Sequence, residues 1–460
     1  MIRKVKKQIK NYYFISKEGI NLLYDFENNN IISFKSKEIR DKIFNILYDY
    51  SLNKISRNDL QGNEKVLSLL DNLSLENNYF STHKYITELK TTKIGLMLIQ
   101  DCNLMCKYCY GGESGKYNSQ GMNNKMTIET AQKSINYLMN NCPESENYEI
   151  SFFGGEPLLN LDLIKKIINY CKKVEGKKFT YTITTNATLL TKEVIQYFEE
   201  NKVSIMVSLD GYKEIHDANR VYPNGKGSFE TVIQNVKELL NSNFKNYFHV
   251  RSTLTTEYLK NFENVANYFI DLGIKQIAIA TESEYDDDSS EFSISTKKLM
   301  LKGTPKYKYI ERLKKEILSG ENPPFIPFYL ILSRIHKASK NLISCGYFKG
   351  STMVSYDGKL YPCHRFVGMK DFEFGNIFDG IDLKKLKQIC SDMDTTTNKC
   401  NNCFVKYICK RGCIRDISKN GAKFIEYPEE FCDTMRKMIE DMLIFYYQLK
   451  ILRPEYLLTL

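Results

Sequence analysis

The chain has 460 residues, with 65 Lys or Arg against 55 Asp or Glu, a formal charge of +10, and 42% hydrophobic residues. This balance excludes a disordered or fibrous chain, and the length points to two or three domains whose core needs no disulfide staples. The opening MIRKVKKQIKNYYF has no signal-peptide h-region, no stretch approaches the roughly 18 apolar residues of a membrane helix, and no compact basic stripe suggests nucleic acid. The expectation is a cytoplasmic protein that engages neither membrane nor nucleic acid. Its excess charge reads as a Lys- and Asn-rich surface, with attraction to an acidic partner such as a peptide the lesser reading.

Residues 1–90 contain no Cys and read as a small α+β unit. Strands are predicted over 12–16, 21–26 and 31–34. A helix over 38–50 carries Ile39, Ile43, Ile46 and Leu47 at helical spacing, and a second covers 64–73. The next boundary falls near 87–92. Strands then alternate with helices: strands over 94–100, 148–153, 179–185, 203–209, 248–255 and 276–281. The helices between them begin after Thr127 and after Asn160 and cover 192–200, 229–240 and 261–272. This alternation implies a parallel sheet, open or a partial barrel, with function at the C-terminal strand ends. Asp286-Asp287-Asp288-Ser289-Ser290 is a polar break, 286–344 a bridging, helical segment, and 345–460 a Cys-rich domain ending in a helix over 427–448.

The thirteen cysteines are clustered: three between Cys102 and Cys109, eight between Cys345 and Cys432. Reduced, clustered thiols in a cytosolic chain bind metal more readily than they pair as disulfides. Cys102-x3-Cys106-x2-Cys109 directly follows the first strand of the alternating series. Three thiolates in one loop can hold three irons of a [4Fe–4S] cluster and leave the fourth iron open. A zinc site is the alternative, but no fourth Cys or His lies nearby.

This motif, with Tyr108 before the last Cys, resembles the radical S-adenosylmethionine (SAM) superfamily, and further signatures follow in order. Ser151-Phe152-Phe153-Gly154-Gly155-Glu156-Pro157 ends the second strand, Thr184-Thr185-Asn186 the third and Ser208-Leu209-Asp210-Gly211 the fourth. Arg251-Ser252-Thr253-Leu254 lies on the fifth. The pattern covers about residues 93–281. The resemblance implies a partial (βα)6 barrel and an open iron that chelates the SAM amino and carboxylate groups. Gly154 and Gly155 lack Cβ, so backbone can approach the ligand, with Glu156 nearby for the ammonium. Asn186 and Ser208 are expected at the ribose and carboxylate. Asp210 is structural or hydroxyl-binding, and Arg220 or Arg251 pairs with the carboxylate. The implied chemistry is reductive cleavage of SAM to a 5′-deoxyadenosyl radical that abstracts hydrogen, with electrons from a flavodoxin or ferredoxin.

In the C-terminal region Cys345-x12-Gly358-x4-Cys363, then Cys400-x2-Cys403-x5-Cys409-x3-Cys413 and Cys432, resemble the SPASM extension of peptide-modifying radical SAM enzymes. The resemblance implies two auxiliary [4Fe–4S] clusters, three in all. Cys400, Cys403, Cys409 and Cys432 would hold one; Cys345, Cys363 and Cys413 would hold the other, with an open iron or an outside ligand. A zinc ribbon is the alternative for the C-x2-C pair alone. Cys142, Cys171 and Cys390 read as buried bystanders. An open iron beside a radical source suits a substrate thiolate, which points to sactipeptide and ranthipeptide maturases that make thioethers in Cys-rich precursor peptides. Residues 1–90 look like the winged-helix-like element that binds a leader peptide as an added strand. The loop Tyr110-Gly111-Gly112-Glu113-Ser114-Gly115 also resembles peptide maturases. Alternatives are a sulfatase-maturing, formylglycine-forming enzyme, a carbon–carbon cross-linker or epimerase, and a non-enzymatic iron–sulfur electron carrier.

Overall fold

The computed structural model describes residues 7–60, 64–73, 91–111, 124–244, 247–274, 276–281, 303–338, 340, 351–396, 398–410, 412–419 and 423–460. The polar break over 286–290, the glycines from Gly112 onward in the loop after Cys109, and Cys345 lie outside them.

The N-terminal unit is a four-stranded antiparallel sheet in sequence order, formed by β1 (Gln8–Ile9), β2 (Tyr12–Lys17), β3 (Ile20–Asp25) and β4 (Asn30–Phe34). Helices Lys37–Ser51 and Glu64–Leu73 complete it, the first capped by Ser36, whose hydroxyl accepts the Ile39 N–H. Both sheet faces are buried. Tyr12, Phe14 and Leu23 pack with Leu47, Leu69 and Leu70 of the unit's own helices. Tyr13, Ile15, Leu22, Tyr24 and Phe26 belong to the main core. The apolar run Tyr12-Tyr13-Phe14-Ile15 therefore shows no in/out alternation, as expected of a strand covered on both sides.

Six parallel strands follow: β5 (Lys93–Met97), β6 (Asn147–Phe153), β7 (Lys178–Thr185), β8 (Val203–Ser208), β9 (Phe248–Leu254) and β10 (Ile277–Thr281). They pair in consecutive order, with helices between them, as a partial (βα)6 barrel. Thr127 caps the helix Ile128–Asn141 by accepting the Thr130 N–H at 3.1 Å. Asn160 makes no side-chain cap; it donates to the Leu98 carbonyl at 3.2 Å and ties its helix start to the end of β5. Ile150, Phe152, Val207 and Val250 are buried beneath these helices, each contributing about 1.5–3 kcal/mol.

The Cys-rich region adds to this sheet, an arrangement absent from the sequence reading. Strand β11 (Ser351–Val354) pairs in parallel with β5, Ser351 opposite Lys93, and β12 (Leu360–Tyr361) pairs antiparallel with β11. The bridging region contains helices Pro305–Ser319 and Tyr329–Lys337, and the C-terminal helix is Glu429–Leu452. Among the described residues no helix is long and apolar enough to cross a membrane.

Candidate active site

The loop after β5 carries Cys102, Cys106 and Cys109, all free and partly exposed. Backbone pairing extends beyond the strand ends and fixes its entry: Gly155 N–H donates to the Ile99 carbonyl and Glu156 N–H to the Asp101 carbonyl, both at 2.9 Å. A β-carbon on Gly154 would stand 2.7 Å from the Ile99 oxygen, and one on Gly155 would stand 2.2 Å from the Asp101 oxygen. The two glycines thus let the ends of β5 and β6 close on each other. The close approach that the structure shows at them is between two backbone segments.

On its other side the loop is held by Met105 N–H to the Val221 carbonyl at 2.7 Å and Lys107 N–H to the Asn219 carbonyl at 3.0 Å. Asn186 donates to Asn103 Oδ1 at 2.9 Å and lies 3.7 Å from Cys102 Sγ, while Thr188 donates to Asn186 and accepts from Asn103. Burial pushes the Cys106 thiol up to about 11, and the Cys102 thiol further still, with Glu156, Cys106 and Cys109 adding to the rise at Cys102. All three thiols belong to one eight-residue loop at the end of β5. Their proton loss needs the compensating charge that a metal cluster brings.

Glu156 is fully buried and held by three donors: Oε1 accepts from Leu158 N–H at 3.0 Å and Thr185 Oγ1 at 2.8 Å, and Oε2 from Asn186 N–H at 2.7 Å. Burial raises its carboxyl to about 7 against these three donors. Asp210 accepts four hydrogen bonds. Arg220 grips it through Nε at 2.9 Å and an Nη at 3.2 Å, Thr253 N–H donates at 2.8 Å, and the Tyr108 hydroxyl also donates. Tyr108 therefore links the Cys loop to the end of β8. Arg220 also stands over the Tyr108 ring and donates to Cys106. Behind them His216, its basicity lowered to about 4 by burial, accepts the Asp210 N–H and contacts Ser228 Oγ at 3.0 Å. Asn103, Thr188, His216 and Ser228 were not singled out in the sequence. None belongs to a spaced motif, and only the fold brings them under the Cys loop.

Ser208 and Arg251 are register partners on β8 and β9 and lie on the same sheet face. Arg251 reaches the barrel mouth, where desolvation first, then Arg365 and Arg220, lower its pKa. Leu254 is fully buried on the opposite face, so any ligand contact there falls to its backbone.

The Cys-rich region closes over this mouth. His364, next to Cys363, stacks on Phe153 at the end of β6 with ring centroids 4.4 Å apart and lies 5.9 Å from Tyr110. Arg365 donates to Cys413 Sγ at 3.1 Å and Asp416 Oδ1 at 2.6 Å, and its guanidinium stands 5.8 Å from the Tyr110 ring centre. Separately, Cys400, Cys403, Cys409 and Cys432 line one cavity with Val405, Tyr427, Phe431 and Met435. Among the described residues no three His, Cys, Asp or Glu side chains converge as a single metal ion requires. Four thiols around one apolar cavity fit a cubane cluster's donor set. Cys142, Cys171 and Cys390 are buried at 8%, 2% and 0% exposure.

Residues 96–269 match the Radical SAM superfamily. A cysteine-type anaerobic sulfatase-maturating enzyme of Clostridium novyi is 26% identical over 358 residues, covering 74% of this chain and 92% of the relative. The radical SAM cyclopropyl synthase TigE of Paramaledivibacter caminithermalis is 24% identical over 375 residues, covering 76% and 73%. The solved structure of native anSMEcpe with bound AdoMet and Cp18Cys peptide superposes with a TM-score of 0.63 at 22% identity, covering 79% of this chain and 99% of that one. The six-stranded parallel series, the Cys loop at the end of its first strand and the family match agree, and this enzyme carries a radical SAM domain over residues 96–269.

Proposed function

We propose that this enzyme modifies a ribosomally made, Cys-rich precursor peptide by forming thioether cross-links from Cys sulfur to carbon. The observation that carries the reading is the barrel mouth. The Cys102–Cys109 loop lies on one side, and the segments bearing Cys363 and Cys413 lie on the other, joined through Phe153, His364, Tyr110 and Arg365. Peptide carbon and peptide sulfur would be presented from opposite sides of this mouth. When bound, SAM and the iron–sulfur clusters supply the one-electron chemistry, with electrons from a flavodoxin or ferredoxin. The chain's own residues orient and shield. Asn186 and the Asp210–Arg220 pair hold the Cys loop, Ser208 and Arg251 face the SAM side, and the aromatic wall excludes water. Cys102, Cys106 and Cys109 are assigned to the SAM cluster; Cys400, Cys403, Cys409 and Cys432 to one auxiliary cluster; Cys345, Cys363 and Cys413 to the other.

The N-terminal sheet is assigned to the leader. Its edge strand β4 pairs only with β3 among the described strands, which suits addition of a peptide strand. A formylglycine-forming enzyme is the second reading, favoured by the length over which the sulfatase-maturating relative aligns. Against it, Glu156 already accepts three hydrogen bonds and Asp210 four, which ties up both carboxylates at this site. Co-expression with a neighbouring short Cys-rich reading frame, followed by mass spectrometry, tests the proposal. Each thioether removes two hydrogens and protects one Cys from alkylation. A peptide that stays fully alkylatable contradicts it.

A further inference from the structure

The segment bearing Cys400, Cys403 and Cys409 is covered by the N-terminal sheet. Tyr13 stacks on Phe404 with centroids 3.5 Å apart and donates to Glu440 at 2.7 Å. At the centre of this contact is Lys406, whose side chain is 2% exposed and which lines the four-thiol cavity. Its Nζ donates to the Asn401 carbonyl at 2.9 Å and to Glu27 at 2.5 Å, and lies 4.9 Å from the Tyr407 ring centre. Tyr407 also donates to Glu27 at 2.8 Å. Glu27 belongs to the turn between β3 and β4, and Asn29 of that turn donates to the Ile335 carbonyl at 2.7 Å. The buried ammonium is thus neutralised by a carboxylate from another domain.

We propose that Glu27 and Lys406 form a cross-domain electrostatic pair that sets the reduction potential of the cluster assigned to Cys400, Cys403, Cys409 and Cys432, and so links that potential to the seating of the N-terminal domain. This rests on reading the four thiols as a [4Fe–4S] site. Reduction adds a negative charge to the cluster. An unopposed ammonium beside it raises the potential, and an unopposed carboxylate lowers it. Other cations also stand near these thiols. Arg436 donates to Cys403 and pairs with Glu429 and Asp433, Lys399 pairs with Glu426, and Arg334 is coupled to Cys409, but none of these touches Glu27 or Lys406, so their contribution is the same in every variant of that pair. Arg334 donates to the Ile408 carbonyl, and Glu440 is taken by Lys7 and Tyr13. Strand β4 begins at Asn30, three residues beyond Glu27. A peptide added at its edge would act on the same turn, and the coupling would be reciprocal.

The test is a redox titration followed by electron paramagnetic resonance on the full-length, reconstituted enzyme without peptide. In Glu27→Gln one auxiliary signal should shift upward by tenfold in its one-electron equilibrium, about 59 mV. In Lys406→Met the same signal should shift downward, and the double variant should return near the wild-type value. Glu27→Asp, which keeps the charge, should stay there as well. Single variants that shift together, or signals that do not move, overturn the proposal. Iron for only one cluster would instead sink the auxiliary-cluster reading, so the two failures are distinguishable.

Discussion

Gly155 lies so close to Asp101 that a β-carbon on it would stand 2.2 Å from the Asp101 carbonyl oxygen and 3.0 Å from the β-carbon of Cys102. The obstacle is backbone, which cannot swing aside as a flexible side chain would. Gly155→Ala must part the ends of β5 and β6 and displace Cys102. It is expected to lose the iron of the first cluster and with it SAM cleavage. Iron analysis and 5′-deoxyadenosine production measure the two losses; a fully loaded Gly155→Ala protein would show that the close approach is dispensable.

Asp210 and Arg220, 1% and 7% exposed, form the buried ion pair behind the cluster loop. Asp210→Asn keeps the shape but leaves Arg220 without a counter-charge. Breaking a buried pair from one side costs about 3–5 kcal/mol. Urea unfolding should show a loss of that order, whereas Tyr108→Phe, which removes one hydrogen bond to the same carboxylate, should cost about 1.5–3 kcal/mol. Equal stability of Asp210→Asn and wild type would rule out the pair as a stabilising element.

Glu156 introduces a pH dependence whose sign is fixed by its raised pKa. Its carboxyl titrates at about 7 in the fold against 4.5 as the ordinary value, so the folded state binds the extra proton between these limits. This contribution to stability is full below about pH 4.5, falls as pH rises through 7, and is constant above. Glu156→Gln should remove that slope. It should also lower stability, because one amide oxygen cannot accept from Leu158, Thr185 and Asn186 together. Urea titrations at several pH values separate the slope from the offset, and an unchanged slope in Glu156→Gln would assign it to another group.

The thiol sets predict metal content. Reconstituted protein should hold close to three [4Fe–4S] clusters, and replacing Cys102, Cys106 and Cys109 together by Ala should remove one cluster and all SAM cleavage. Replacing buried Cys390 by Ser should leave the iron content unchanged.

Removing residues 1–85 should abolish binding of a fluorescent leader peptide, measured by anisotropy, while SAM cleavage persists. It should also lower the melting temperature, because Phe404 loses the Tyr13 ring and Lys406 loses Glu27. Undiminished leader affinity would move recognition elsewhere in the chain.

Local chemistry was legible wherever ligands or periodicity are short-range. The three-Cys loop, the strand-end signatures and the amphipathic helices follow from residues a few positions apart, and Thr127 caps the helix that its position predicted. The roles of the strand-end residues were less legible. Glu156 and Asp210 are identical in sequence to carboxylates waiting for a ligand, yet each is filled by donors 2 to 102 residues away.

By itself the sequence determined the parallel βα series, the Cys loop at its first strand end and the grouping of the cysteines into two spaced sets that leave out Cys142, Cys171 and Cys390, because spacing and period encode these directly. Only the tertiary structure decided that β11 extends the barrel sheet, that His364 and Arg365 close over its mouth, and that Glu27 reaches Lys406 across 379 residues. Those contacts depend on which buried faces find one another, and a strand with two apolar faces does not name its partners.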